Sequence, residues 1–270
     1  MKDELVIANP WRTLRRYTDA RIGLGRTGVS QPTAEQLAFQ LDHARARDAV
    51  HTPLDAAALA QAVQDGLPGA PPVLHLHSAA DSRARYLQRP DLGRRLDDAS
   101  RQQLQALPRD PAGYDLALVL ADGLSSLALT QNAVPLLQAV QARLADDAGQ
   151  WRLAPLAIVR QGRVAIGDDI AHLLNARCVV VLIGERPGLS SPDSLGLYLT
   201  WAPRPGLSDA SRNCISNVRP AGLTYDAAAF KLHYLLSEAR RRQLSGVALK
   251  DETAAEGANL EAPQRNFLLE

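Results

Sequence analysis

Cys178-Val-Val-Val-Leu-Ile183 runs directly into Gly184-Glu-Arg-Pro-Gly188, and reading these two segments together decides the fold. A short β-branched apolar run without polar alternation reads as a strand buried on both faces. Gly184, Pro187 and Gly188 then turn the chain off the strand end. The turn presents one carboxylate, Glu185, and one guanidinium, Arg186. In open α/β sheets, ligands bind at this carboxyl edge. The position favours a ligand-facing pair over two solvated neighbours that contribute almost nothing.

Working outward, Val73-Leu-His-Leu-His77 alternates like a strand, and Leu116–Ala121 forms a stronger one. The latter ends at Asp122-Gly123, where Ser125 or Ser126 can cap an Ala/Leu-rich helix running to about Asp146. Leu153–Val159 reads as a third strand and Gln161–Gly167 as the loop after it. Asp168 and Asp169 open a short helix, favoured there by the helix dipole. Leu195–Trp201 is a further strand. Tyr225–Leu244 is the last helix, with Arg240, Arg241 and Arg242 at its negative end. Strand, helix, strand, helix, strand predicts a mostly parallel sheet flanked by helices, with right-handed crossovers.

Upstream, residues 1–32 are irregular and punctuated by Gly and Pro. Thr33-Ala-Glu-Gln36 reads as a capping box opening a helix to about Val50, with Leu37, Leu41, Ala44 and Asp48 at helical spacing. A second helix spans Leu54–Val63, and Gly66-Leu-Pro-Gly-Ala-Pro-Pro72 reads as a linker. The expected organisation is an N-terminal arm and small helical domain over residues 1–66, an α/β domain over 67–250, and a fraying polar tail over 251–270.

Composition narrows the function. The 270 residues are 46% hydrophobic with a formal net charge of +1, so no global field draws the chain to nucleic acid or an acidic membrane. Aromatics at 4% argue against a base-stacking surface. No apolar run approaches the ~20 residues of a membrane span. A charged Met1-Lys-Asp-Glu4 start without an apolar stretch argues against a secretory signal. Cys178 and Cys214 make neither a C-x-x-C pair nor a disulfide framework, which fits a reducing, cytoplasmic setting.

Several motifs have a simpler explanation than chemistry. Gly23-Leu-Gly-Arg-Thr-Gly28 spells G-x-G-x-x-G, but lacks the preceding strand and following helix of a dinucleotide site. A glycine-rich interface loop explains it better. Gly123-Leu-Ser125 lacks the second glycine of a nucleophile elbow, so a helix cap is favoured. His75 and His77 share a strand face but lack the third and fourth ligands that zinc needs. Arg212-Asn-Cys-Ile-Ser-Asn217 reads as a surface turn held by Asn side chains, with Cys214 in a packing role because no base lies beside it.

Taken together, Ala20-Arg-Ile-Gly-Leu-Gly-Arg26, Arg89-Pro-Asp-Leu-Gly-Arg-Arg95, Asp122-Gly-Leu-Ser125, Gly162-Arg-Val164, Gly184-Glu-Arg-Pro-Gly-Leu189 and Arg212–Asn217 resemble the small (light) subunit of ethanolamine ammonia-lyase. The resemblance extends from about Arg15 to Lys250. It implies a Rossmann-like domain with a small helical N-terminal piece. It also implies a bacterial, adenosylcobalamin-dependent ammonia lyase that converts ethanolamine to acetaldehyde and ammonia. In that family a TIM-barrel large subunit carries the radical chemistry, and the small subunit packs on it in a hetero-oligomer and helps enclose the cobalamin. Family contact positions map onto Val164, Glu185 and Cys214; no catalytic or metal-binding residue is implied in this chain. Without a D-x-H-x-x-G motif, the cofactor's own base is expected to stay on cobalt. Some relatives carry a longer N-terminal segment resembling a microcompartment-targeting signal. This chain begins only a few residues before Asn9-Pro10-Trp11, so the expected location is the cytoplasm, with a microcompartment as the alternative. Two other readings stay open: a self-sufficient enzyme using Ser125 or Cys214, and a purely structural assembly subunit.

Overall fold

The computed structural model describes residues 5–108, 111–145, 147 and 150–253. The expected fraying of the C-terminal tail lies, from residue 254 on, outside the described residues. Six strands, β1 (Val73–His77), β2 (Tyr114–Ala121), β3 (Leu156–Arg160), β4 (Ala176–Gly184), β5 (Leu195–Trp201) and β6 (Arg212–Val218), form one sheet in the order β1-β3-β2-β4-β5-β6. The β1/β3, β2/β3 and β2/β4 ladders are parallel, as the alternation of strands and helices predicts. Both β4/β5 and β5/β6 are antiparallel, so the sheet is mixed at one end. The cause is chain length: a parallel return needs a crossover of roughly a dozen residues or more, and the links 185–194 and 202–211 are shorter.

Strand parity builds two cores. Leu116, Leu118 and Leu120 of β2 share one face with Val180 and Leu182 of β4. There they pack under helices α2 (Ala56–Gly66), α5 (Ser126–Ala145) and α7 (Tyr225–Arg242). Ala117, Val119, Ala121, Val179, Val181 and Ile183 point the other way, toward α4 (Asp98–Gln105) and α6 (Ile166–Leu173). Burial on both faces is what the uninterrupted apolar run at 178–183 predicts. Each such Leu, Ile or Val contributes about 1.5–3 kcal/mol on leaving water.

Helix starts follow local chemistry. Asp55, Asp97 and Thr224 cap α2, α4 and α7, and Ser82 caps a short α3 (Arg83–Gln88). Helix α1 (Thr33–His51) departs from the expected capping box: Pro32 takes the cap position in an extended conformation and no side chain caps the helix. Thr33 is already helical, one residue too late to cap. The stripe expected to be covered on α1 is open, with Leu37 and Leu41 exposed and only Ala49 buried, because none of the described residues packs over those leucines. Gly23, Gly25 and Gly28 all have positive φ. At Gly25 a Cβ would sit 2.7 Å from the Ile7 carbonyl oxygen, where the arm folds back to exchange hydrogen bonds between Ile7 and Arg26. Gly23 and Gly25 permit close backbone packing, whereas Gly28 has open space around it, and α1 starts only at Thr33. Among the described residues, no helix is long and apolar enough to cross a membrane.

Candidate functional site

After β2 the chain steps to β3 on one side, then crosses back to β4 on the other. Ligand crevices form at such a reversal, outside the carboxyl ends of the strands. Here those ends meet closely. Gly123 has φ +57, the Leu124 N–H donates to the Gly184 carbonyl at 2.9 Å, and a Cβ on either glycine would run into the other's turn. Asp122, fully buried, ties in the next loop by accepting from the Gln161 N–H at 2.9 Å and the Gly162 N–H at 3.0 Å. Burial pushes its carboxyl up, while those two amides and Arg83, at 3.9 Å, oppose the shift. One carboxylate thereby sets the loop that carries Arg163 and Val164.

Beneath that loop, Tyr86 of α3 is fully buried and donates its hydroxyl to the Gly162 carbonyl at 3.1 Å. Burial holds its phenol well above the ordinary range. The Arg83 and Arg163 guanidiniums lie over its ring, 4.7 and 4.2 Å from the centroid. Arg83 donates to the Val50 and Gly123 carbonyls at 2.7 and 2.8 Å. Arg83 Nη2 and Arg163 Nε are both buried without an acceptor. Unmade hydrogen bonds of charged donors are costly; of the two residues, Arg163 lines the adjoining cavities.

At the end of β4, Glu185 Oε2 accepts from the Ser194 hydroxyl and from the Asn217 N–H at 3.2 Å. Its Oε1 accepts no hydrogen bond among the described residues. Tyr198 of β5 pairs in register with Cys214 of β6, and the two side chains influence each other's ionisation. Burial raises the Cys214 thiol, the Tyr198 hydroxyl lowers it, and Glu185 raises it again. A cavity of about 370 Å³ is lined by Val164, Glu185, Arg186, Tyr198 and the two turn glycines. A second, of about 900 Å³, shares Arg163 and Val164 with the first. The fold thus gathers Val164, Glu185 and Cys214 at one edge.

Two expectations change here. Arg212–Asn217 is strand β6 rather than a surface turn, so Cys214 projects from a strand. Arg212 is buried, held by Asp168 through bonds of 2.8 and 2.7 Å. Other residues fall where they were read. Ser125 is a helix cap: its oxygen accepts from the Ala128 N–H at 3.1 Å and its hydroxyl donates to the Pro192 carbonyl at 2.7 Å. Those bonds leave it no role as a nucleophile. His75 is exposed on β1, and the His77 ring meets the Ser78 carbonyl. Among the described residues, no cluster of His, Cys, Asp and Glu could hold a metal ion. Sequence reasoning missed Arg83, Tyr86 and Tyr198. A lone aromatic in the polar segment Arg83–Gln88 was the available signal for Tyr86.

Fold and edge together define an α/β protein with a cavity at its strand ends. The matched family is narrower. Residues 8–250 match the family model described as ethanolamine ammonia-lyase light chain (EutC). The chain is 60% identical over 267 residues to the ethanolamine ammonia-lyase small subunit of Ralstonia nicotianae, covering 98% of this chain and 96% of that one. It is 58% identical to the small subunit of Azotobacter vinelandii, covering 97% and 96%. Against that of Pseudomonas aeruginosa it is 56% identical, covering 97% and 94%. The chain belongs to the ethanolamine ammonia-lyase small-subunit family.

Proposed function

We propose that this chain holds adenosylcobalamin against a TIM-barrel large subunit, in a complex that converts ethanolamine to acetaldehyde and ammonia. Family membership supports the subunit role and the reaction. The observation that carries the cofactor reading is the convergence of Val164, Glu185 and Cys214 around Tyr198, at the reversal point of the sheet. The donor set suits a corrin, whose rim carries amides able both to donate and to accept. Glu185 Oε1 is an open acceptor, and Arg163 Nε is an orphaned donor. Val164 offers backbone groups and an apolar surface. Bound adenosylcobalamin supplies the radical chemistry, and the residues here orient it and exclude water.

The arm favours a partner. Among the described residues, every exposed large apolar side chain except Phe230 and Val247 lies between Leu5 and Leu41. Leu189 and Ser190, just beyond the Glu185 turn, line one cavity with Arg21 and Phe39 of this region. The arm therefore meets the segment that leaves the Glu185 turn, and the proposed occupant of its apolar face is the large subunit.

Titrating the assembled complex with cobalamin by visible absorbance tests the reading. Glu185→Ala removes a charge-assisted hydrogen bond and should weaken binding roughly 10- to 150-fold. Unchanged affinity would leave a purely structural subunit. Full turnover by the large subunit alone would remove the role altogether.

A further inference from the structure

We propose that Arg94 and Arg163 form an anion seat for the phosphodiester in the nucleotide tail of the corrinoid. This rests on the cobalamin reading above and assigns a different part of the same ligand. The seat is the cavity of about 900 Å³ that Val164 shares with the Glu185 cavity. Three carboxylates line it. Asp169 is held by Arg101 at 2.8 Å, Asp91 by Arg89 at 2.8 Å and Arg95 at 3.8 Å, and the exposed Asp209 shares Arg212, at 3.4 Å, with Asp168. Arg94 and Arg163 have no carboxylate partner among the described residues, so positive charge is left over on these two.

Their placement is built. The Arg163 N–H donates to the Gly93 carbonyl at 2.7 Å, which brings the Arg163 backbone beside the residue preceding Arg94. A Cβ on Gly93 would sit 2.8 Å from the Arg163 Cγ and 2.9 Å from the Tyr86 ring. The glycine leaves room for the Arg163 stem, and Tyr86 supports its guanidinium from below at 4.2 Å. Among the described residues, the Arg163 Nε is buried without an acceptor, and Nη2 reaches only the Tyr86 carbonyl, at 3.5 Å. A planar fork held with unused donors matches two oxygens of a phosphate. A ligand touching Val164 from both cavities meets an acceptor, Glu185, on one side and cations on the other. A corrinoid with an amide rim and one anionic tail has those two chemistries.

The test compares cyanocobalamin with dicyanocobinamide, which lacks the nucleotide tail, on the assembled complex by visible absorbance titration. Arg163→Gln should weaken cobalamin binding about 10-fold or more, and the exposed Arg94→Ala about 2- to 5-fold, with cobinamide binding unchanged for both. The cobalamin preference of the wild type should also shrink as salt rises. Equal losses for both corrinoids, or no loss for either, overturn the proposal. Arg94→Ala keeps the test decisive if Arg163→Gln fails to assemble. Inorganic phosphate that raises the wild-type thermal midpoint, without selective loss of cobalamin in the variants, would assign the seat to free phosphate and also overturn it. Glu185→Ala should weaken both corrinoids. If it spares both while the arginine variants discriminate, the phosphate seat stands and the Glu185 contact falls.

Discussion

Cys214 is exposed, yet its surroundings disfavour the thiolate. Burial against its neighbours pushes the thiol up and Glu185 adds to the shift, while the Tyr198 hydroxyl works the other way. A raised thiol pKa means less thiolate below it, and thiolate is the reactive form. Iodoacetamide should therefore label Cys214 slowly at about pH 7.5, accelerating only above the ordinary thiol value of about 8.5. Cys178 is fully buried, with its thiol pushed up to about 12, and should stay unlabelled while the chain is folded. Tyr198→Phe removes the interaction that lowers the Cys214 thiol and should slow labelling further. Cobalamin bound to the complex should protect Cys214. Rapid labelling at neutral pH, indifferent to cobalamin, would contradict both the electrostatics and the placement. At this scale the position of Glu185 was legible because a carboxylate followed a strand-ending glycine. Tyr198 was not, because its role depends on the register of a neighbouring strand.

Among the elements, β6 is held by an interaction that no local pattern reveals. Its buried positions, Arg212, Ile215 and Val218, break strand alternation, and the β5/β6 register shifts between Leu195 and Leu197. A charged first residue and a lost period of two made the segment read as a turn. Arg212 is buried because Asp168, on α6, meets it with two oxygens and Thr200 adds a third contact at 3.0 Å. Burial raises the Asp168 carboxyl above its ordinary value, and the two-pronged Arg212 guanidinium opposes that shift without cancelling it. This pair ties the strand carrying Cys214 to the helix that follows Val164. Asp168→Ala leaves a buried guanidinium with only the exposed Asp209, at 3.4 Å, as a charge partner and should cost about 3–5 kcal/mol. Thermal unfolding should then fall by roughly 6–20 °C in a domain of this size. Arg241→Ala removes an exposed pair with Glu238 and should move the midpoint hardly at all. Comparable shifts for the two variants would show that the buried pair has no special weight. Strands β2 and β4 were legible because burial on both faces forces a continuous apolar run. The antiparallel pairing of β5 was legible only in the shortness of its links, and α3 and α4 carry too few buried residues to give a period.

For the whole molecule, two sides differ in kind. The α/β body buries its apolar residues, while the arm and α1 leave Leu5, Trp11, Tyr17, Val29, Leu37 and Leu41 exposed. Ion pairs hold this region to itself: Arg15 reaches Glu35 at 3.0 Å, and Arg21 reaches Asp42 at 2.5 Å. An ordered helix with an uncovered apolar stripe fits a surface that is covered in the assembly. Without the large subunit this chain should self-associate, and light scattering should report species larger than a monomer. Leu37→Glu with Leu41→Glu should reduce that association and weaken assembly with the large subunit at least about tenfold, since each buried leucine is worth about 1.5–3 kcal/mol. The same pair should leave the thermal midpoint within about 2 °C, because exposed positions away from packed features change stability little. A clean monomer for the unaltered chain, or full assembly by the double variant, would move the partner interface to another face. The cofactor edge would then have to be closed by something other than a subunit seated on α1.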